Sequence, residues 1–364
     1  MNPLVNALNA PETLAELAPA ELDCVLRQAR TALLLGVLAA RVQDQLVDLP
    51  QAAQWQLKAG SVLCDKIRLD VTREFTHLRR ALANLDRPVV VLKGAAYVLA
   101  NLPAAEGRIF GDIDLLVHRL DLADIEALLE AGGWSMAGTE PYDERYYRRW
   151  THELPPMEHI ERGSTIDVHH AVVQERHLAA FDRDSMIDQA IQIDEVFSIL
   201  QPVDMVLHAC VHLFNDGEFD KALRDLLDIV QLVRHFDRTE ADFRAQLALR
   251  AYELNFTSQL YFAMRYAGKL LHLAHPPRYL DSIRPDGHQD WLYDALFLRA
   301  LMPQHSTADD RFTGLARQLL YVRGHYLRMP LRHLIPHLIR KAIMPEPQAP
   351  DTLPILRDIQ EPNR

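Results

Sequence analysis

The sequence predicts an α+β protein that is mostly helical, with one small α/β core in mid-chain and helical regions on both sides. Three observations predict it. Leu and Ala runs are frequent while glycine is scarce, 14 residues in 364, and all-β chains need more turn glycines. Apolar spacing of three and four marks residues 11–85 and the chain after Pro202. Only between about 87 and 200 do short β-branched runs and period-two alternation occur. The expected organisation is a helical region at 1–86, the core at 87–200, a helical domain at 201–343 and a proline-rich tail at 344–364.

The flanking elements follow from local chemistry. Pro11-Glu12-Thr13-Leu14 and Pro19-Ala20-Glu21-Leu22 read as helix starts, with proline in the first turn and an acid soon after. Trp55, Leu57, Leu63, Ile67, Val71, Phe75, Leu78 and Leu82 fall on the spacing of one long amphipathic helix. The apolar run Ala32–Ala40 is bounded by Arg30 and Arg41 and is too short to cross a bilayer, so a buried helix is expected. Met1-Asn2-Pro3-Leu4 lacks a basic, apolar leader. The three cysteines, Cys24, Cys64 and Cys210, form no CxxC pair, which excludes a zinc ribbon or disulfide framework and fits a reducing cytoplasm. Apolar residues make up 49% and charged residues 24%, a globular balance. The net charge of −11 argues against a protein that coats DNA, while allowing a local basic face.

Within the core, Asp86-Arg87-Pro88 breaks the helical texture and Val89-Val90-Val91-Leu92 suits a buried strand. Lys93-Gly94-Ala95-Ala96 opens a helix to about Leu102, Pro103–Gly107 is a loop, and Ile109–Val117 is a second strand. A helix spans Leu122–Ala131, stopped by Gly132-Gly133, and Trp134-Ser135-Met136 starts another strand. An aromatic and charged stretch (Tyr142, Tyr146, Tyr147, Arg148, Arg149, Trp150, His152) precedes the alternating Ser164–His170, a half-buried strand.

Two of these strands carry carboxylates. On a strand, residues i and i+2 share a face, so Asp112 and Asp114 stand side by side while Ile113 points into the core. Unpaired, they repel and one proton is held tightly. A divalent cation relieves that penalty, and hard oxygen donors at this spacing suit Mg²⁺ or Mn²⁺. Asp167, on an independent strand, supplies a third carboxylate that can ligate a metal and accept a proton. Lys93-Gly94 ends the preceding strand, where a glycine lets backbone approach a phosphate. Arg108 lies just before the second strand and has the chemistry to reach phosphate oxygens.

Val91-Leu92-Lys93-Gly94, Arg108, Gly111-Asp112-Ile113-Asp114-Leu115-Leu116-Val117 and Ile166-Asp167-Val168-His169 together resemble the DNA polymerase β-type nucleotidyltransferase superfamily, and within it a bacterial family with few characterised members. The similarity is clearest over 87–175 and continues weakly through His208, His212, Arg224 and Asp225. It implies a small mixed-sheet core, an NTP as substrate and transfer of a nucleoside monophosphate to an acceptor hydroxyl or phosphate, with Asp112, Asp114 and Asp167 as catalytic, metal-binding residues. Gly94 matches the turn glycine beside the triphosphate. The superfamily's usual serine after that glycine is replaced by Ala95, which leaves Lys93 either as a substitute phosphate contact or as a strand-end surface lysine. The acceptor (small molecule, peptide or RNA) is left open by the resemblance.

Other features carry weaker expectations. His169 and His170 read as structural histidines, the alternative being that one orients the Asp167 carboxylate or contacts the base. His208 and His212 have helical zinc spacing, but position 209 is Ala, so the metalloprotease pattern fails. Arg224 and Asp225 suit either the cleft or an ion pair. Residues 311–341 hold Arg311, Arg317, Arg323, Arg328, Arg332, Arg340 and Lys341 with no acid. That segment suits a phosphate-rich partner, or a solvated face whose arginines pair with acids elsewhere, the reading favoured here. It is the support for a tRNA-modifying, toxin-like enzyme. A non-catalytic nucleotide-binding scaffold is the rival of another class, supported by Ala95.

Overall fold

The structure is a computed structural model that describes residues 2–136, 153–173, 184–215, 217–287 and 289–328. The stretch around Tyr142–His152 and the proline-rich tail lie outside the described residues. The chain divides into two compact units of interleaved sequence. One comprises Met1–Arg68, Asn101–Ile109 and Val206–Gly324, the other Leu69–Ala100, Phe110–Met205 and His325–Arg364.

The first unit is helical. Pro19–Thr31, with proline in its first turn, Leu35–Arg41 and the front of Gln51–Ala81 form its N-terminal part. Pro11–Glu16 is a 3₁₀ turn rather than an α-helix. The long helix buries Leu57, Leu63 and Ile67, but Trp55, expected on the same stripe, is 64% exposed. A residue at i−2 from Leu57 falls about 200° round the helix and so on the opposite face. Ala222–Thr239, Phe243–Glu253, Thr257–Leu271 and Asp290–Ala300 continue the unit. Their core is aromatic: Phe297 meets Phe214 edge-on at 5.1 Å between ring centroids, a geometry that favours the ring quadrupoles, and lies tilted against Phe262 at 5.0 Å. Gly107 (φ 68°) and Gly36 bring their backbones so close that a side chain on either would clash.

The second unit carries a seven-stranded mixed sheet in the order β3-β4-β5-β2-β1-β7-β6. The strands are β1 (Val89–Val91), β2 (Asp112–Leu116), β3 (Trp134–Ser135), β4 (Met157–His159), β5 (Thr165–His169), β6 (Ile191–Gln192) and β7 (Phe197–Ile199). The central strand β2 runs antiparallel to β1 and parallel to β5. Its start at Asp112 is later than the expected Ile109. The short strands β4, β6 and β7 were not expected. β7 is legible in retrospect, since Phe197-Ser198-Ile199 alternates after an Asp194 turn whose carboxylate accepts from the Val196 and Phe197 amides. The end of the long helix packs on the sheet, with Phe75 edge-on to Phe197 at 5.1 Å.

An ion pair between buried Glu74 and the more exposed Arg162 supports this packing. Glu74 accepts from Arg162 Nε and Nη2 at 2.9 Å each and from Ser164 Oγ at 2.7 Å, while Arg162 also covers the Trp134 ring. Burial pushes the Glu74 carboxyl up, but the Arg162 and Ser164 bonds outweigh it and hold it below the usual range. A lowered carboxyl stabilises the fold above its unfolded pKa, and that contribution is lost as pH falls through the folded value. Glu74→Ala removes the acceptor of three hydrogen bonds and leaves the Arg162 guanidinium to solvent, at an expected cost of about 1–2 kcal/mol, seen as a lower urea midpoint at unchanged slope. An unmoved midpoint would refute this role.

Candidate functional site

The site begins with strand register. β2 and β5 are parallel neighbours with Asp114 beside Asp167, Asp112 beside Thr165 and Leu116 beside His169. Asp112, Asp114 and Asp167 therefore share one face of the sheet. Each offers a carboxylate oxygen, and these atoms lie within 4.8 Å of one another. Among the described residues this is the one such group of His, Cys, Asp or Glu. Asp114 is buried, and Asp167 Oδ1 is a buried oxygen with no hydrogen-bond partner among the described residues. A buried carboxylate oxygen left unpaired is costly. Three hard donors converging beside such an oxygen fit a divalent cation such as Mg²⁺ or Mn²⁺.

An ammonium and an imidazole of the chain itself hold Asp114. Lys93 Nζ is 2.7 Å from Asp114 Oδ1, and His169 Nε2 is 3.1 Å from the same oxygen. Lys93 reaches it through an unusual backbone. β1 ends, Leu92 N–H donates to the Asp114 carbonyl at 2.9 Å, and Lys93 adopts φ 49°, the left-handed region. The helix Lys93–Leu99 starts there. The left-handed residue of the Lys-Gly turn is thus the lysine, not Gly94, at a backbone cost of about 1–2 kcal/mol. Strain of this kind persists where the surroundings over-determine it, often at functional sites. Here the β1–β2 ladder on one side and the Asp114 bond on the other hold the residue.

The electrostatics divide the three carboxylates. Burial pushes Asp114 up, but the Lys93 ammonium and the His169 bond outweigh it, holding this carboxyl far below the usual range. Burial pulls the Lys93 ammonium down, and Asp114 and Asp112 more than reverse that, so it titrates above the ordinary lysine range. Asp167 has no such partner. Burial, then the negative charges of Asp112 and Asp114, push it up to about 8. The cluster thus holds one firmly ionised carboxylate and one that keeps a proton at neutral pH.

Two residues that sequence reading undervalued complete the site. His169 was expected to be structural, yet it bridges Asp114 and Glu153, its Nδ1 lying 3.2 Å from Glu153 Oε2. Glu153 comes from a single β-bridge to His169. No motif marks it, because the contact arises from pairing across 16 positions. The Asp-x-His spacing at 167 and 169 was the available signal, since it puts His169 on the carboxylate face.

The remaining predicted residues are placed as follows. Gly94 and Ala95 are buried in the first turn after Lys93. Arg108 belongs to the helical unit, where its Nε is 2.6 Å from Asp228 Oδ2 and its Nη2 is 3.8 Å from Asp225. Arg224 forms an ion pair with Asp225 at 2.7 Å and donates to the Ile109 carbonyl at 2.9 Å. His208 and His212 have ring centroids 6.4 Å apart. Of the acid-free segment, the helix Thr313–Arg328 is described. Arg317 pairs with Asp309 at 3.0 Å and Arg323 donates to the Phe214 carbonyl at 2.7 Å, so both charges are engaged within the fold. Arg332, Arg340 and Lys341 lie outside the described residues. Among the described residues no helix is long and apolar enough to cross a membrane.

No curated protein and no solved structure matches the chain. A family model does: the one described as "uncharacterised nucleotidyltransferase" matches residues 18–272, which span the whole sheet and both site-bearing strands. With that match over well more than half its length, and with the carboxylates arranged as above, the chain belongs to this nucleotidyltransferase family.

Proposed function

We propose that the protein transfers a nucleoside monophosphate from an NTP to an acceptor hydroxyl or phosphate and releases pyrophosphate. The observation that carries this reading is the convergence of Asp112, Asp114 and Asp167 from two adjacent parallel strands in a member of a nucleotidyltransferase family. These three residues would hold Mg²⁺ or Mn²⁺, which when bound offsets negative charge on the triphosphate. The acceptor oxygen attacks the α-phosphorus, the α–β P–O bond breaks with pyrophosphate leaving, and the Asp167 carboxylate takes the acceptor's proton. Lys93 supplies the positive charge for the triphosphate and Gly94 the unhindered backbone beside it. The helix they start has seven residues, so its dipole adds little beside a full ammonium. Arg108 is assigned to the triphosphate on its place in the sequence.

The test is direct. With Mg²⁺ or Mn²⁺ and cell extract, one labelled NTP is expected to yield a labelled acceptor and pyrophosphate in equal amounts. Absence of labelled product, together with absence of NTP binding by the purified protein, would overturn the reading.

A further inference from the structure

We propose that Glu153 and His169 form a positioning pair that fixes Asp114 for cation binding, Glu153 acting only through the imidazole. This rests on the nucleotidyltransferase reading of the carboxylate cluster. Neither residue belongs to the group of three converging carboxylates, and both lie in the same compact unit as Asp114. The geometry is a chain of three: Asp114 Oδ1 to His169 Nε2 at 3.1 Å, and His169 Nδ1 to Glu153 Oε2 at 3.2 Å.

The chemistry of the three groups assigns their roles. An ionised carboxylate only accepts, so the imidazole Nε2–H donates to Asp114 Oδ1, and Glu153, set against Nδ1 by its β-bridge pairing with His169, holds the plane of the ring. At the other end, Asp114 Oδ1 already accepts from Lys93 at 2.7 Å. With His169 as its second donor, both lone pairs of Oδ1 are used. The consequence is a division of labour within one carboxylate: Oδ1 is tied to the protein, and Oδ2 is the atom left for a cation shared with Asp112 and Asp167. A metal-binding carboxylate oriented in this way loses affinity when its outer partner is removed, typically by ten- to a hundredfold.

A double-mutant cycle on Mn²⁺ affinity, read by titration calorimetry on the full chain, tests the pair. His169→Ala and Glu153→Ala are each expected to weaken Mn²⁺ binding about tenfold, and the double variant to bind no more weakly than His169→Ala alone. His169→Gln retains a donor for Asp114 and is expected to recover most of the loss, and adding Glu153→Ala to it should then change nothing. Recovery by a donor of different shape, and silence of Glu153 once the imidazole is gone, are outcomes that a merely structural role does not give. Losses that add, or wild-type affinity in either single variant, would overturn the inference. The His169→Gln cycle decides the matter should His169→Ala fail to fold. If the wild-type protein binds neither Mn²⁺ nor labelled NTP, the functional reading fails and takes this inference with it. If the wild type binds both and the cycle is additive, only the positioning pair falls.

Discussion

Asp114→Asn and Asp112→Asn are expected to abolish nucleotidyl transfer alike and to differ sharply in their effect on stability. Both remove a charge from the cation site, and loss of one preorganised electrostatic contact typically costs a rate factor of about 10²–10³. Removing a direct metal ligand should cost at least that. Their structural surroundings differ. Asp114 is buried and is the counter-ion for Lys93 and His169. Neutralising it leaves the Lys93 ammonium without its hydrogen-bonded counter-charge, and breaking a buried pair costs about 3–5 kcal/mol. Asp112 is half-buried, and its negative charge both favours the Lys93 ammonium and works against ionisation of Asp167. These effects oppose each other, so its neutralisation should change metal-free stability by less than about 1 kcal/mol. Urea unfolding without metal should therefore leave Asp112→Asn near the wild type and put Asp114→Asn far below it. Equal midpoints would refute the counter-ion role of Asp114, and transfer surviving in either variant would refute the metal assignment.

This asymmetry between two aspartates two positions apart was not legible in the sequence, although their shared face was. Period-two geometry puts Asp112 and Asp114 side by side whatever the rest of the chain does, and it gives Asp167 and His169 the same relation. The pairing of those two strands is long-range. No local signal puts Asp114 beside Asp167 rather than one position away, and a slip of one would send Asp167 to the other face. The mostly helical α+β class was legible because it follows from periodicity summed over many residues. The strand Met157–His159 escaped because three residues carry too little pattern, and Glu153 escaped because its neighbour is made by a bridge. Lys93 was legible as a cation at a strand end. Its left-handed backbone and its bond to Asp114 were not, since the glycine beside it is the residue that ordinarily takes such a turn.

Divalent-cation affinity is expected to rise steeply with pH up to about 8 and then level off, because Asp167 must surrender a proton to become a ligand. Burial and the charges of Asp112 and Asp114 push this carboxyl up to about 8, against about 3.9 in an unfolded chain. The sign follows from linkage. Between those two values the folded protein holds a proton that the unfolded chain has released, so metal-free stability falls as pH rises across the window, by at most about 1.4 kcal/mol per pH unit. His169, whose pKa is raised because the Asp114 bond and Glu153 outweigh burial, acts in the same direction above its unfolded value. A bound cation reverses the order of events at Asp167 by replacing the proton. Below about pH 8 each unit of pH should therefore strengthen Mn²⁺ binding by up to about tenfold, with about one proton released per ion bound. Calorimetry in buffers of different ionisation enthalpy counts that proton: close to one at about pH 7 and close to none at about pH 9. Asp167→Asn should bind Mn²⁺ weakly with a much flatter pH profile, and its metal-free stability should no longer fall across the window. A wild-type affinity that is flat from about pH 6 to about pH 9 would mean that the third ligand carries no proton to lose, and that Asp167 is not that ligand.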